Sequence, residues 1–356
     1  LRAFQTVDAD DFFGRDDLVE RLLNHISITG KHNDFLAVVG PSGSGKSSVV
    51  KAGMLPLIQK GVLDQEVDWY TAEIVPGTHP IEELEVALLA VATREIPDLY
   101  EILSKDERGL VRAIRRIIPE DSEFVLFIDQ FEEAFTLVTD NDERTHFLQS
   151  ILNAVEDERS RIKIIVTLRA DFYDRPLLYA DFGNLIRNHT ELVLPLSETE
   201  LESSISSPAQ RVGVSLEPGL VTAIVNDVAE QPGALPLLQY ALTELFERRS
   251  GRLMLLSDYK EIGGTTGALA RRAEELYEDF TPTEKAATRQ MFMRLVTLGE
   301  GSDDTRRRVF QSELLSLNNQ TSAMPNVIRQ FGKFRLLTFD HDPQTRSSTI
   351  EVAHEA

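Results

Sequence analysis

Eight residues limit what this chain can fold into more than any others. Gly40, Pro41, Ser42, Gly43, Ser44, Gly45, Lys46 and Ser47 follow the apolar run Phe35 to Val39 and precede a helical pattern. The order fits G-x-x-x-x-G-K-[ST] in its strand–loop–helix context. Glycines let a backbone close round phosphate oxygens where side chains would clash. Amide N–H groups at the start of the following helix face the anion, with the helix dipole behind them. Read in this way, Gly40, Ser42, Gly43, Ser44, Gly45, Lys46, Ser47 and Ser48 bind ATP or ADP. Lys46 reaches the β- and γ-phosphates, and the Ser47 hydroxyl is a ligand of Mg²⁺.

Two further apolar runs end in chemistry. Phe124 to Ile128 delivers Asp129, then Gln130, Phe131, Glu132 and Glu133. In an open parallel sheet such a carboxylate lies at the strand's C-terminal edge, where the phosphate loop also opens. Asp129 is therefore the second expected metal ligand. Hydrolysis needs a group that positions or deprotonates water. Gln130 is an amide and a poor proton acceptor, so Glu132 or Glu133 is expected to act, or both are first-turn helix acids. Slow turnover follows. The run Ile164 to Val166 ends in Thr167, Leu168 and Arg169. Arg169 reads either as a sensor of the γ-phosphate or as a partner of Asp171 or Asp174.

Strands are expected at Phe35–Val39, Trp69–Val75, Phe124–Ile128, Ile162–Leu168 and Glu191–Leu194. Helical periodicity separates them, as in Phe147, Ile151 and Val155 after the polar stretch Asp140 to Glu143. Alternating strands and helices imply a five-stranded parallel sheet covered on both faces. This first part spans residues 1–195. A helical part, 196–280, opens with a capping box of Ser197 and Glu200. Pro218 suits the first turn of its next helix, which carries Leu220, Ile224 and Val228. After Pro232 and Gly233, Leu237, Leu238, Ala241, Leu242 and Leu245 form another apolar face. A third part, 281–356, begins with Thr281, Pro282 and Glu284 as cap, first-turn proline and capping acid. Its helices are followed by Arg335–Phe339 and Thr349–Val352 around Asp342 and Pro343, the plan of a winged helix.

The chain has no cysteine, which excludes disulfides, zinc thiolates and a cysteine nucleophile. That fits a reducing, cytoplasmic setting. No apolar run approaches the roughly 18 residues that span a bilayer. The formal net charge is −21, which makes nucleic acid and anionic lipid unfavourable partners over the surface as a whole. Arg306 to Arg308, preceded by Asp303 and Asp304, reads as a solvated or paired turn. The start at Leu1 and the stop at Ala356 read as a piece of a longer protein.

Taken together, these elements resemble a STAND NTPase, in particular the novel STAND group often found upstream of WD40 repeats. The segment Phe12 to Leu23 is similar to the family's G-R-x-x-E stretch, with Asp17 replacing or offset from the usual acid. The resemblance places Arg15 against the adenine. It assigns Thr167 to Arg169 as a sensor, and Pro236, after Gly233, as a contact to the base, at one residue more than the common spacing. His354 is similar to a histidine that touches the β-phosphate of ADP in related proteins. The implied fold is an α/β P-loop NTPase followed by a helical domain and a winged helix. The implied activity is a slow ATPase that switches a larger protein between ADP-closed and ATP-open, self-associating forms, with an effector before Leu1 and a sensor after Ala356. Two other readings stay open: a loader ATPase acting on nucleic acid, and a nucleotide-dependent scaffold without hydrolysis.

Overall fold

In the computed structural model the described residues are 3–27, 34–157, 160–229, 235–297, 305–316, 323–334, 336–341 and 347–352. His354, Pro232, Gly233, Asp342 and Pro343 lie outside them. The chain divides into two compact units, Arg2–Pro208 and Ala209–Ala356.

The first unit is built on five parallel strands: β1 (Phe35–Gly40), β2 (Asp68–Ile74), β3 (Ser122–Ile128), β4 (Ile162–Arg169) and β5 (Thr190–Leu192). Their order across the sheet is β2-β3-β4-β1-β5. The three central strands β1, β3 and β4 read as apolar runs because the middle of a parallel sheet is covered on both faces; the edge strands β2 and β5 are mixed in character. The period of two along each strand then sorts the side chains. Phe35, Ala37 and Val39 point to one face with Phe124, Leu126, Ile164 and Val166. Leu36 and Val38 point to the other with Val125, Phe127 and Ile165. The first face is covered by helices Pro80–Val91, Gly109–Ile117, Asn141–Glu156 and Ala180–Asn188. Phe131 stacks on Phe182 there, with ring centroids 5.5 Å apart. The second face is covered by helix Asp16–Ser27 and by the helical run from Lys46 to Gln59. The fifth strand is shorter than expected: Val193 still donates its N–H to Val39 O (2.7 Å), but Leu194 is exposed.

Register fixes where the chemistry sits. Ile128 lies beside Val166, Val38 beside Thr167 and Gly40 beside Arg169. The residues after Val39, Ile128 and Val166 therefore emerge at one edge of the sheet.

The second unit holds helices Leu220–Ala229, Leu235–Arg248, Leu256–Glu261 and Gly264–Asp279, with a short parallel pair, β6 (Ser215–Leu216) and β7 (Leu253–Met254). Helix Leu220–Ala229 starts later than expected. Gly219 takes φ +88°, so Pro218 belongs to the turn before the helix. Helix Pro282–Leu295 follows, with the expected cap: Glu284 N donates to Thr281 Oγ1, and Thr281 N to Glu284 Oε2. β8 (Val296–Thr297) pairs with β9 (Thr305–Arg306). β10 (Val309–Phe310), helices Gln311–Ser316 and Ala323–Lys333, β11 (Leu337–His341) and β12 (Ser348–Val352) are the last elements among the described residues. The last strands form an antiparallel sheet in the order β10-β12-β11. Met291, Leu295, Val327, Phe331 and Ile350 are buried in this unit.

Candidate nucleotide and metal site

The loop after β1 turns on two glycines in the left-handed region, Gly43 (φ +73°) and Gly45 (φ +88°). A side chain at either position would be strained. Gly40 has no room for a Cβ, which would lie 2.9 Å from Ser44 Oγ and 3.0 Å from Val193 O. Lys46 is buried and its Nζ donates to Gly40 O (2.9 Å) and Pro41 O (2.7 Å). Burial lowers its pKa, opposed by the charge of Glu132. Ser44 Oγ is buried without a hydrogen-bond partner. An orphaned hydroxyl beside a buried ammonium and a glycine cradle fits a phosphate group.

Asp129 is 3% exposed and gathers four donors. Its Oδ1 accepts from Ser47 Oγ (2.7 Å), Thr167 Oγ1 (2.6 Å) and Gln130 N (3.1 Å). Its Oδ2 faces Lys51 Nζ at 3.0 Å. Ser47 and Asp129 are thus brought together as expected, from strands that are not neighbours, since β4 runs between β1 and β3. Two hard oxygen donors at this distance fit a magnesium ion completed by phosphate and water. Among the described residues there is no cluster of three or more His, Asp or Glu suited to a metal.

Gln130 is a non-glycine residue at φ +53°. That turn aims its N–H back at Asp129 and at Thr167 Oγ1 (2.9 Å). The Thr167 hydroxyl, expected by resemblance to belong to a sensor, donates to Asp129. Arg169 takes the second of its two readings for its side chain. Its guanidinium holds Asp171 through two bonds (3.1 and 2.7 Å) and lies over the Phe172 ring. Its backbone N–H donates to Glu132 Oε2 at 3.2 Å.

The two glutamates differ. Glu132 is buried, and burial raises its pKa against the pull of backbone hydrogen bonds, Lys46 and Arg169. Glu133 opens a short helix, Glu133–Thr136, and its Oε2 accepts from Gly77 N at 3.2 Å. Arg15 is buried. It donates to Ser44 O (3.4 Å) and Leu194 O (2.9 Å) and faces Glu200 at 3.8 Å, so it braces the loop backbone. Ser48 Oγ accepts from Phe4 N (3.1 Å). Pro236 sits half-buried in the first turn of helix Leu235–Arg248, in the second unit.

Two charged residues of the site were missed. Lys51 is 8% exposed and pairs with both Asp129 and Glu73, the latter near the end of β2. Burial alone would lower its pKa; the charges and hydrogen bonds of Asp129 and Glu73 outweigh that and raise it. The signal was present in part. Lys51 follows Ser47 by four residues, one helical turn, and so shares its face.

The model of the novel STAND NTPase 1 family matches residues 1–356. The chain belongs to that family. The fold is also found in solved structures. The Aeropyrum pernix ORC1 protein in complex with DNA is 13% identical, with 96% of this chain and 90% of that chain covered and a TM-score of 0.51. The Aeropyrum pernix ORC2 protein (ADPNP-ADP complexes) is 12% identical, over 99% of this chain and 91% of that chain, with a TM-score of 0.49. Comparison with curated proteins found no match. Family and fold make this member of the novel STAND NTPases a P-loop NTPase.

Proposed function

We propose that the chain binds Mg-ATP at the Gly40–Ser47 loop, hydrolyses it slowly, and uses the difference between ATP and ADP as a switch. The observation that carries this reading is the 2.7 Å bond from Ser47 Oγ to Asp129 Oδ1, which joins the phosphate loop to a buried aspartate at the end of β3. Magnesium bound there would neutralise charge on the phosphates. Lys46 binds the β- and γ-phosphates, and Ser44 adds a hydroxyl. Glu132 is the better candidate to polarise water. It is buried and made more basic by burial, and its charge couples to Lys46. Glu133 is engaged with the Gly77 backbone. The expected result is that Lys46→Ala abolishes nucleotide binding in calorimetry; an unchanged ATP affinity overturns the reading.

The switch follows if ATP and ADP bind two conformations with different affinity. Moving such an equilibrium from 1:99 to 99:1 takes about 5.5 kcal/mol of differential binding. Self-association in the ATP form, a winged-helix role for the last sheet and its helices, and base contacts from Pro236 and His354 belong to the same proposal. A second reading, an ATPase that acts on DNA, draws on the DNA complex of the ORC1 structure that shares the fold. Salt-sensitive retardation of duplex DNA in a gel would support it.

A further inference from the structure

Helix geometry accounts for Lys51 first. The turn after the phosphate loop is widened over Val49–Met54, and Leu55 N–H reaches back five residues to Val50 O. Such wide turns concentrate at functional sites. The whole turn is buried, and Lys51 points to the sheet edge, its Nζ 5.9 Å from the Phe127 ring centroid. Asp129 then divides its donors by charge: the neutral ones meet Oδ1, and the ammonium meets Oδ2.

We propose that Lys51 is a resident cation of the metal site, set against Glu73, so that Asp129 accepts a divalent ion only when nucleotide phosphates supply further negative charge. The inference rests on the reading of Ser47 and Asp129 as metal ligands. Lys51 and Asp129 alone sum to zero charge, so the ammonium offsets much of the attraction that the carboxylate has for a dication. Glu73 returns one negative charge, at a side chain 38% exposed. Burial at Lys51 and Asp129 keeps solvent from screening these interactions. Lys51 therefore weakens metal binding and Glu73 strengthens it. Lys51 acts through Asp129 and is a positioning residue of the site.

The opposed signs make the test. Mn²⁺, which takes similar hard oxygen ligands, is titrated into the whole chain with and without ADP, and the free ion is followed by its paramagnetic signal. Lys51→Gln keeps a donor for Asp129 without the charge. It is expected to bind Mn²⁺ without nucleotide at least about tenfold more tightly than the unmodified chain. Lys51→Arg should match the unmodified chain. Glu73→Gln should need several-fold more Mn²⁺ in the presence of ADP. Weaker metal binding in both Lys51→Gln and Glu73→Gln would mean a merely structural role and overturns the proposal. So does unmodified protein that binds ADP in calorimetry yet binds Mn²⁺ equally well with and without it. If Lys51→Gln fails to show a cooperative melt, Glu73→Gln decides: wild-type metal dependence there sinks the idea. The arms without nucleotide read the Lys51 effect even if ADP binding itself fails, which keeps the two readings apart.

Discussion

Glu132 is the residue where stability and chemistry pull in opposite directions. Burial raises its carboxyl pKa above the unfolded value. A raised folded pKa contributes stability that is full below the ordinary carboxylate range and is lost as pH rises through the folded value. Glu132→Gln removes the group that loses stability. Its melting temperature should equal or exceed that of the unmodified chain at pH 7, and the difference should shrink or reverse toward pH 4. Single-turnover hydrolysis should fall by about 10²- to 10⁴-fold, the usual worth of a general base, with ATP affinity kept. Glu133→Gln should leave hydrolysis within about threefold. Equal rates in Glu132→Gln and the unmodified chain would rule Glu132 out.

Arg169 poses a competition that magnitudes settle. Its pair with Asp171 is 37% and 53% exposed, and exposed pairs are worth about 0–1 kcal/mol. A γ-phosphate offers more charge than one carboxylate, and under the proposed function it would compete with Asp171 for the guanidinium. Releasing the arginine by Asp171→Asn should therefore shift the ratio of ATP to ADP affinity toward ATP by at most about fivefold. A shift toward ADP in competition titrations would mean that Arg169 does not meet the γ-phosphate.

Among elements, the wide turn Val49–Met54 and helix Asp16–Ser27 are pressed close together. A Cβ at Gly53 would lie 2.5 Å from Val19 Cγ2. Alanine gains roughly 0.5–1 kcal/mol over glycine in a helix, but overpacking against a stiff β-branched side chain costs about 1–3 kcal/mol. The clash wins, so Gly53→Ala should lower stability in urea melts. Val19→Ala, added to it, should recover part of that loss beyond the sum of the single changes, because the two sites touch. Nucleotide affinity should fall with the first change, since Arg15, which braces Ser44, sits just before the displaced helix.

The same elements show what was readable beforehand. The three central strands and the phosphate loop were legible because double-sided burial writes itself as apolar runs, and the loop needs glycine at fixed places; the mixed edge strands β2 and β5 gave a weaker signal. Asp129 was legible as the polar end of such a run. The paired strands β6, β7, β8, β9 and β10 were not, since two residues carry no periodicity and only tertiary pairing defines them. Lys51 was passed over because a lysine on a helix is ordinarily solvated. Its partner Glu73 could be found only once β2 was known to lie beside β3. The destination of the Arg169 side chain turned on Asp171, two residues away, an exposed contact that no pattern ranks above a phosphate.

At the scale of the whole molecule the net charge of −21 sets the sign of every association. Copies of the chain repel one another, and the repulsion is screened by salt: its range falls from about 30 Å at 0.01 M to about 10 Å at 0.1 M. Self-association driven by ATP should therefore strengthen as salt rises. Binding to duplex DNA behaves in the opposite way, because released counterions make it weaken as salt rises. Within the basic run, Arg308 is paired with Glu351 at 3.2 Å. A single salt series on the ATP-loaded Glu132→Gln variant, read by light scattering alone and by anisotropy with labelled duplex, separates the two functions. Larger particles at about 0.2 M than at about 0.02 M, with no DNA affinity tighter than about 10⁻⁴ M, is the outcome expected of a switch. Micromolar DNA binding that collapses with salt, and particles of one size throughout, would transfer the chain to the DNA-acting class.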